Sequence, residues 1–159
     1  MSDAARKRIS ICKNRKARHD YHIEDTYDAG IVLSGSEVKA LREGRAELRD
    51  AYAHVRRGEL WMVGARISHY EQANRQNHEP DQERKLLLRR GEIDKLEGKL
   101  KTPGLTLVPL ELYFDGSWAK VQLGLARGKK VYDKRHAIAE RDADRALRSA
   151  MKKRQQRME

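Results

Sequence analysis

Cysteine is almost missing from this 159-residue sequence: Cys12 stands alone, so no disulfide can close within the chain, and a reducing cytoplasm is the expected setting. Proline occurs three times and phenylalanine once. No apolar run approaches the roughly 18 residues a membrane-spanning helix requires, so the pattern excludes insertion into a bilayer. The six histidines, at positions 19, 22, 54, 69, 78 and 136, follow no HExxH or CxxC spacing, and no metal is expected. His22 with Asp25, and His69 with Glu71, are neighbours that lack an accompanying nucleophile. The string Gly124-Leu125-Ala126-Arg127-Gly128-Lys129-Lys130 lacks the spacing of a phosphate-cradling loop. Neither catalysis nor a cofactor is therefore expected.

What the sequence has in quantity is charge. Charged residues make up 37% and apolar residues 38%, which suits a single domain with an economical core and a heavily ionised surface. The formal net charge is +11. Its distribution is uneven: residues 1–19 carry +6, residues 20–126 carry −2, and residues 127–159 carry +7. A surplus concentrated at the two ends points to electrostatic contact with a polyanion through those ends.

Hydrophobic patterning organises the middle. The opening stretch, 1–11, offers no face to bury and reads as a mobile arm, with the basic residues to His19 continuing it. Tyr21 and Ile23 alternate with polar neighbours as a first strand, and Ala29-Gly30-Ile31-Val32-Leu33 reads as a second. Ser34-Gly35-Ser36 provides capping chemistry for a helix over Glu37–Arg42, which Gly44 can stop. Residues 51–67 read as a hairpin turning at Arg57-Gly58-Glu59, with Gly64 as a bulge or bend. His69–Asp81 reads as a loop; Glu83–Arg90 fits either helix or strand; Ile93, Leu96 and Leu100 mark an amphipathic helix. Alternation from Thr106 to Phe114 and from Ala119 to Leu125, around Asp115-Gly116, predicts a second hairpin, with Pro109 at an edge or an interruption. Beyond Gly128 good helix formers abound and apolar residues are few, so helix is expected there when a partner holds it.

The candidate contacts follow from this division. Lys13, Arg15, Lys16 and Arg18, then Arg127, Lys129, Lys130, Lys134 and Arg135, supply mobile ammonium groups and planar guanidinium forks suited to phosphate; a solvated basic fringe is the bland alternative. Glu37 is either an acceptor for base donors or a surface carboxylate balancing Lys39 or Arg42. Trp118, Tyr21 and Tyr113 either stack on bases or pack in the strands that carry them; Tyr132, between basic residues, is hard to bury.

Several strings closely resemble the SsrA-binding protein (small protein B) family, in that family's order from about Cys12 into the tail. They are Asn14-Arg15-Lys16-Ala17 with Asp20-Tyr21, Ala29 to Lys39, Arg84-Lys85-Leu86-Leu87-Leu88, Val108-Pro109-Leu110, and Gly124 to Arg135. The resemblance implies a mainly β fold: an oligonucleotide-binding-like closed barrel with short flanking helices over residues 20–128, a basic arm over 1–19, and a basic tail over 129–159 that is helical on the ribosome. It implies a non-enzymatic monomer that binds the tRNA-like domain of transfer-messenger RNA (tmRNA) and delivers it to stalled ribosomes for trans-translation. RNA contacts are then expected at Asn14, Arg15, Lys16, Arg18, Glu37, Lys39, Arg84, Lys85, Leu86, Lys129 and Lys130. A tail containing Tyr132, Asp133, Lys134, Arg135, Arg141 and Asp142 is expected to face small-subunit rRNA at the decoding site and mRNA path. Tyr132 departs from the His that some relatives carry there. A ribosomal or ribosome-assembly protein anchored on rRNA is the alternative.

Overall fold

A computed structural model describes residues 7–71, 77–129 and 131–157 of the chain; within the last range the side chains of residues 131–134, 136 and 137 are outside the description. The chain divides into two compact units, Met1–Gly128 and Lys129–Glu159.

The first unit is a large antiparallel sheet with short helices. Its strands are β1 (Arg8–Lys13), β2 (Tyr21–Ile31), β4 (Tyr52–Arg56), β5 (Glu59–Val63), β7 (Arg84–Leu87), β8 (Leu105–Asp115) and β9 (Trp118–Gly128). They are ordered β1-β8-β4-β5-β7-β2-β9, and β8 pairs in addition with β9. A two-stranded ribbon, β3 (Ala46–Glu47) with β6 (Arg66–Ile67), stands beside it. Three helices belong to this unit: α1 (Arg15–Asp20), α2 (Gly35–Arg42) and α3 (Arg90–Leu100). The second unit is one helix, α4 (Val131–Arg157). Helix therefore takes nearly as much of the described chain as strand, so the fold is mixed α/β rather than mainly β. Among the described residues no helix is long and apolar enough to cross a membrane.

The hairpin of β8 and β9 carries the core: Val121, Leu123 and Leu125 alternate inward on β9, while on β8 the register shift after Pro109 changes the inward parity from Leu107 to Leu112 and Phe114 and leaves Val108 and Leu110 in a second, smaller cluster. Leu60 and Met62 from β5, Leu86 from β7 and Ala29 from β2 join them. Helix α2 is present as expected but starts two residues early, at Gly35: Ser34 caps it in a reciprocal box with Glu37, Ala40 and Leu41 are buried, and Gly44 follows its end at φ 74°. Helix α3 lays Ile93 and Leu96 inward.

Two expectations change, and two open readings are resolved. The second half of the supposed arm is part of the folded body: residues 8–13 pair with β8, and residues 15–20 form α1. Ile11 and Cys12 supply the half-buried face that the sequence pattern hid among charges. The two strands expected between Tyr21 and Leu33 are one eleven-residue strand, β2, because β9 pairs with it from Tyr21 to Gly30 across a register shift between Ile23 and Asp25. The ambiguous Glu83–Arg90 stretch is strand at Arg84–Leu87, captured between β5 and β2. Pro109 lies at a register shift of the β8–β9 ladder, as an interruption of a paired strand.

Gly64 bends the chain after β5 at φ 82°, and a β-carbon built there would stand 3.0 Å from the Asp50 carbonyl oxygen. Backbone, unlike a flexible side chain, cannot yield cheaply. Gly64→Ala combines left-handed strain with that clash and is expected to cost about 1–3 kcal/mol, seen as a fall of several degrees in Tm by circular dichroism. An unchanged Tm would show that the Asp50 segment moves freely.

Candidate nucleic-acid interface

Asn14 organises the surface on which the first basic cluster lies. It is 3% exposed. Its Oδ1 accepts from the Ala17 amide at 3.1 Å and so caps α1. Its Nδ2 donates to the Leu48 carbonyl at 2.9 Å and the Pro109 carbonyl at 3.0 Å, and its own amide donates to the Leu110 carbonyl at 2.8 Å. One buried side chain thus ties the end of β1, the start of α1, the 48–51 turn and the irregularity in β8. Around it Lys13, Arg15, Lys16 and Arg49 are all exposed.

Two adjoining grooves run over this region. One, of about 390 Å3, is flanked by Lys13, Arg15 and Arg49; the other, of about 290 Å3, by Lys16, Arg49, Asp50 and Tyr52. Lys16 Nζ lies 2.8 Å from Asp50 Oδ1. That hydrogen bond and the ammonium charge hold the Asp50 carboxyl below the usual carboxylate range. Cys12 borders the first groove, and burial pushes its thiol up to about 11, leaving it protonated and unreactive at neutral pH.

Glu37 and Arg84 are 2% exposed each and form an internal ion pair, Arg84 Nε donating to Glu37 Oε2. The guanidinium also donates to the carbonyls of Ala65 at 2.8 Å, Gln82 at 3.0 Å, Pro80 at 3.0 Å and Glu79 at 3.4 Å, which occupies its five N–H groups. Glu37 Oε1 accepts from the Ser34 amide at 3.0 Å and from Gln82 Nε2 at 3.1 Å. Next to this pair, His78 Nε2 donates to the Ile67 carbonyl at 2.8 Å and Nδ1 accepts from Ser36 Oγ at 2.9 Å. The network locks α2 to the segment before β7. Burial raises the Glu37 carboxyl, but the Ser34 amide and the Arg84 guanidinium outweigh it, and the net shift is downward.

The expected contact residues therefore fall into two groups. Arg15, Lys16, Arg18 and Lys39 are exposed, Lys85 is half-buried beside Glu59 at 3.1 Å, and Lys129 is half-buried. Asn14, Glu37, Arg84 and Leu86 are buried, so in this conformation they build the framework and do not form its surface. In α4, Arg135, Arg141 and Asp142 are exposed. Lys130, and the side chains of Tyr132, Asp133 and Lys134, lie outside the described residues. Of the aromatic candidates, Tyr113 is buried with its hydroxyl donating to Asp28 at 2.8 Å, which is the packing reading, whereas Trp118 is 65% exposed at the turn between β8 and β9. Sequence reasoning missed Arg49 and Tyr52: nothing local distinguishes either, and only folding brings both beside Lys16. Among the described residues no group of His, Cys, Asp and Glu side chains is arranged to hold a metal.

Two expected outcomes test the framework. Asn14→Leu removes the side-chain donor to the Pro109 carbonyl, leaves the Leu48 carbonyl with the Ala51 amide alone and uncaps α1, and should lower stability by about 2–4 kcal/mol in urea unfolding; a loss under about 0.5 kcal/mol contradicts the assignment. Glu37 has a depressed folded pKa, so its contribution is present above the unfolded value near 4.5 and disappears as pH falls through the lower, folded value. Glu37→Gln should cost about 3 kcal/mol or more at pH 7, by leaving Arg84 buried without a counter-charge. The variant's stability should also vary less between pH 5 and pH 3 than that of the unaltered chain; parallel pH curves would refute the linkage.

The family model described as SmpB protein matches residues 11–153. An SsrA-binding protein of Carboxydothermus hydrogenoformans is 56% identical over 91% of this chain and 97% of its own length. One from Salinispora arenicola is 55% identical over 94% of both chains, and one from Bacillus cytotoxicus 54% identical over 91% of this chain and 94% of its own. Among solved structures, a chain described under "tmRNA-SmpB: a journey to the center of the bacterial ribosome" superposes with a TM-score of 0.66 at 47% identity, covering 80% of this chain and 93% of that one. With a family model spanning both units and relatives of this identity along almost the whole length, the chain belongs to the SmpB family of SsrA-binding proteins.

Proposed function

We propose that this chain is a non-catalytic adaptor that binds tmRNA and serves trans-translation, the rescue of stalled ribosomes, in the cytoplasm. The observation that carries this reading is membership of the SmpB family across residues 11–153, which takes in both the sheet unit and α4. The first unit acts as an oligonucleotide-binding-like barrel. The ladder β8-β4-β5-β7-β2-β9, with β9 pairing again to β8, supports that architecture.

The two units divide the work. Arg15, Lys16, Arg18, Lys39, Lys85, Lys129 and Lys130 meet the tRNA-like domain of tmRNA, while Asn14, Glu37, Arg84 and Leu86 hold the strands and helices that present them. Phosphate contacts by such side chains release counterions, so binding weakens steeply as salt rises. Helix α4, with Tyr132, Asp133, Lys134, Arg135, Arg141 and Asp142, enters the decoding site and mRNA path of the small subunit. Its solvated, cationic character supports this: the described side chains of α4 are exposed, and the last 33 residues carry a net charge of +7. A threaded message excludes the helix by overlap, which restricts engagement to ribosomes whose path is empty. One copy of the chain per tmRNA suffices for both contacts.

Deleting the residues after Asp133 is expected to leave the Kd for tmRNA within about threefold, since additive losses at separate surfaces stay separate, while tagging of stalled chains in a reconstituted translation system is abolished. Equal loss of both activities would contradict the division of labour.

A further inference from the structure

The 290 Å3 groove beside α1 holds chemistry that simple phosphate attraction does not use. Its lining includes Tyr21 and Tyr52, the cations Lys16 and Arg49, two carboxylates, the exposed Asp50 and the half-buried Asp20, and the apolar Val108. Tyr52 is 46% exposed although its chain neighbours Ala51 and Ala53 are buried, so it faces the groove and solvent without contributing to the core. The turn that carries Arg49 and Asp50 is held from three sides. Asn14 Nδ2 and the Ala51 amide both donate to the Leu48 carbonyl, at 2.9 Å and 3.0 Å; Gly64 packs under the Asp50 carbonyl; and Lys16 pins the Asp50 carboxylate at 2.8 Å.

We infer that this groove receives one unpaired base of a bound RNA, a guanine, stacked on Tyr52, with Asp50 accepting from its Watson–Crick edge and Lys16 and Arg49 meeting its phosphate. The inference rests on the RNA-binding reading above and adds a site to it. A volume at the lower end of the roughly 300–1,000 Å3 typical of ligand pockets admits a single base and not a stacked run. Aromatic stacking accepts any base, so the choice among bases falls to Asp50. An ionised carboxylate only accepts. Guanine alone places two donors, the N1–H and the N2 amino group, side by side on that edge; adenine, cytosine and uracil each set an acceptor next to their donor. The same carboxylate disfavours an acidic peptide in this position.

The test uses the full chain and three labelled RNA duplexes of one sequence: fully paired, with one bulged guanosine, and with one bulged adenosine. Anisotropy titrations run beside a tmRNA titration in the same buffer. The guanosine bulge should bind on the order of tenfold tighter than the paired duplex, the increment expected from one stacked base, and the adenosine bulge should gain less. Tyr52→Ala should erase the advantage of both bulges, Tyr52→Phe should retain it, and Asp50→Asn should equalise guanosine and adenosine. Both positions are at the surface, and Tm measurements check that the variants fold. Equal binding of bulged and paired duplexes, equal binding of the two bulges to the unaltered chain, or a bulge advantage that survives Tyr52→Ala would overturn the inference. If tmRNA binds while the bulge effect is absent, the groove assignment falls and the function stands; if tmRNA fails to bind, both fall.

Discussion

The surface that this protein offers to RNA depends on the four hydrogen bonds of one buried asparagine. Asn14 sits where β1 ends, α1 begins, the 48–51 turn passes, and β8 is interrupted at Pro109. At each of those backbone segments the regular hydrogen-bond ladder is interrupted, and Asn14 supplies a bond there. A buried carbonyl or amide without a partner costs about 1–3 kcal/mol, and one residue meets all four irregularities, three through its side chain and one through its own amide. The cations on α1 and on the turn inherit their positions from that arrangement.

A second buried network does the same for the other side of the sheet. Arg84 spends its whole donor set inside the protein, on Glu37 and on four carbonyls of the chain that leads into β7. Such a pair is not an efficient source of stability, since desolvation offsets much of the attraction. What it fixes is geometry: α2 and the residues before β7 have a single mutual arrangement in which every buried polar side-chain atom among the described residues is satisfied. Function then divides along the same line. Rigid buried polar groups set the frame, and in the proposed function solvated cations with long side chains meet the RNA, where mobility is harmless because phosphate attraction is long in range and loose in geometry.

The hairpin of β8 and β9, the helices α2 and α3, and the cationic end at α4 are legible in the residues themselves. Alternation from Thr106 to Phe114, the Ser34–Glu37 capping box, and the spacing of Ile93, Leu96 and Leu100 are local signals that fix these elements, although the bulge after Pro109 splits the β8 alternation between two clusters. The continuity of β2 is not legible, because its middle, Glu24-Asp25-Thr26-Tyr27-Asp28, has no apolar face of its own and is strand only by pairing with β9. Strand β1 is hidden for the same reason, its polar residues being ordered by β8. At the site, a buried Glu37 and Arg84 cannot be told from surface charges by their letters, since 47 positions separate the two partners.

The amino-acid sequence by itself determined the charge economy: a near-neutral centre, cationic ends, no disulfide, no spanning segment, and family-specific strings that imply tmRNA as partner. Those properties are sums or short patterns along the chain, which no rearrangement in space alters. Only the tertiary structure decided which charged residues remain at the surface and which are consumed inside, and that Tyr52, Arg49 and Asp50 share a groove with Lys16. Burial and long-range pairing depend on the partners that other strands supply, and a position's chemistry in the folded protein is set by those partners as much as by its own side chain.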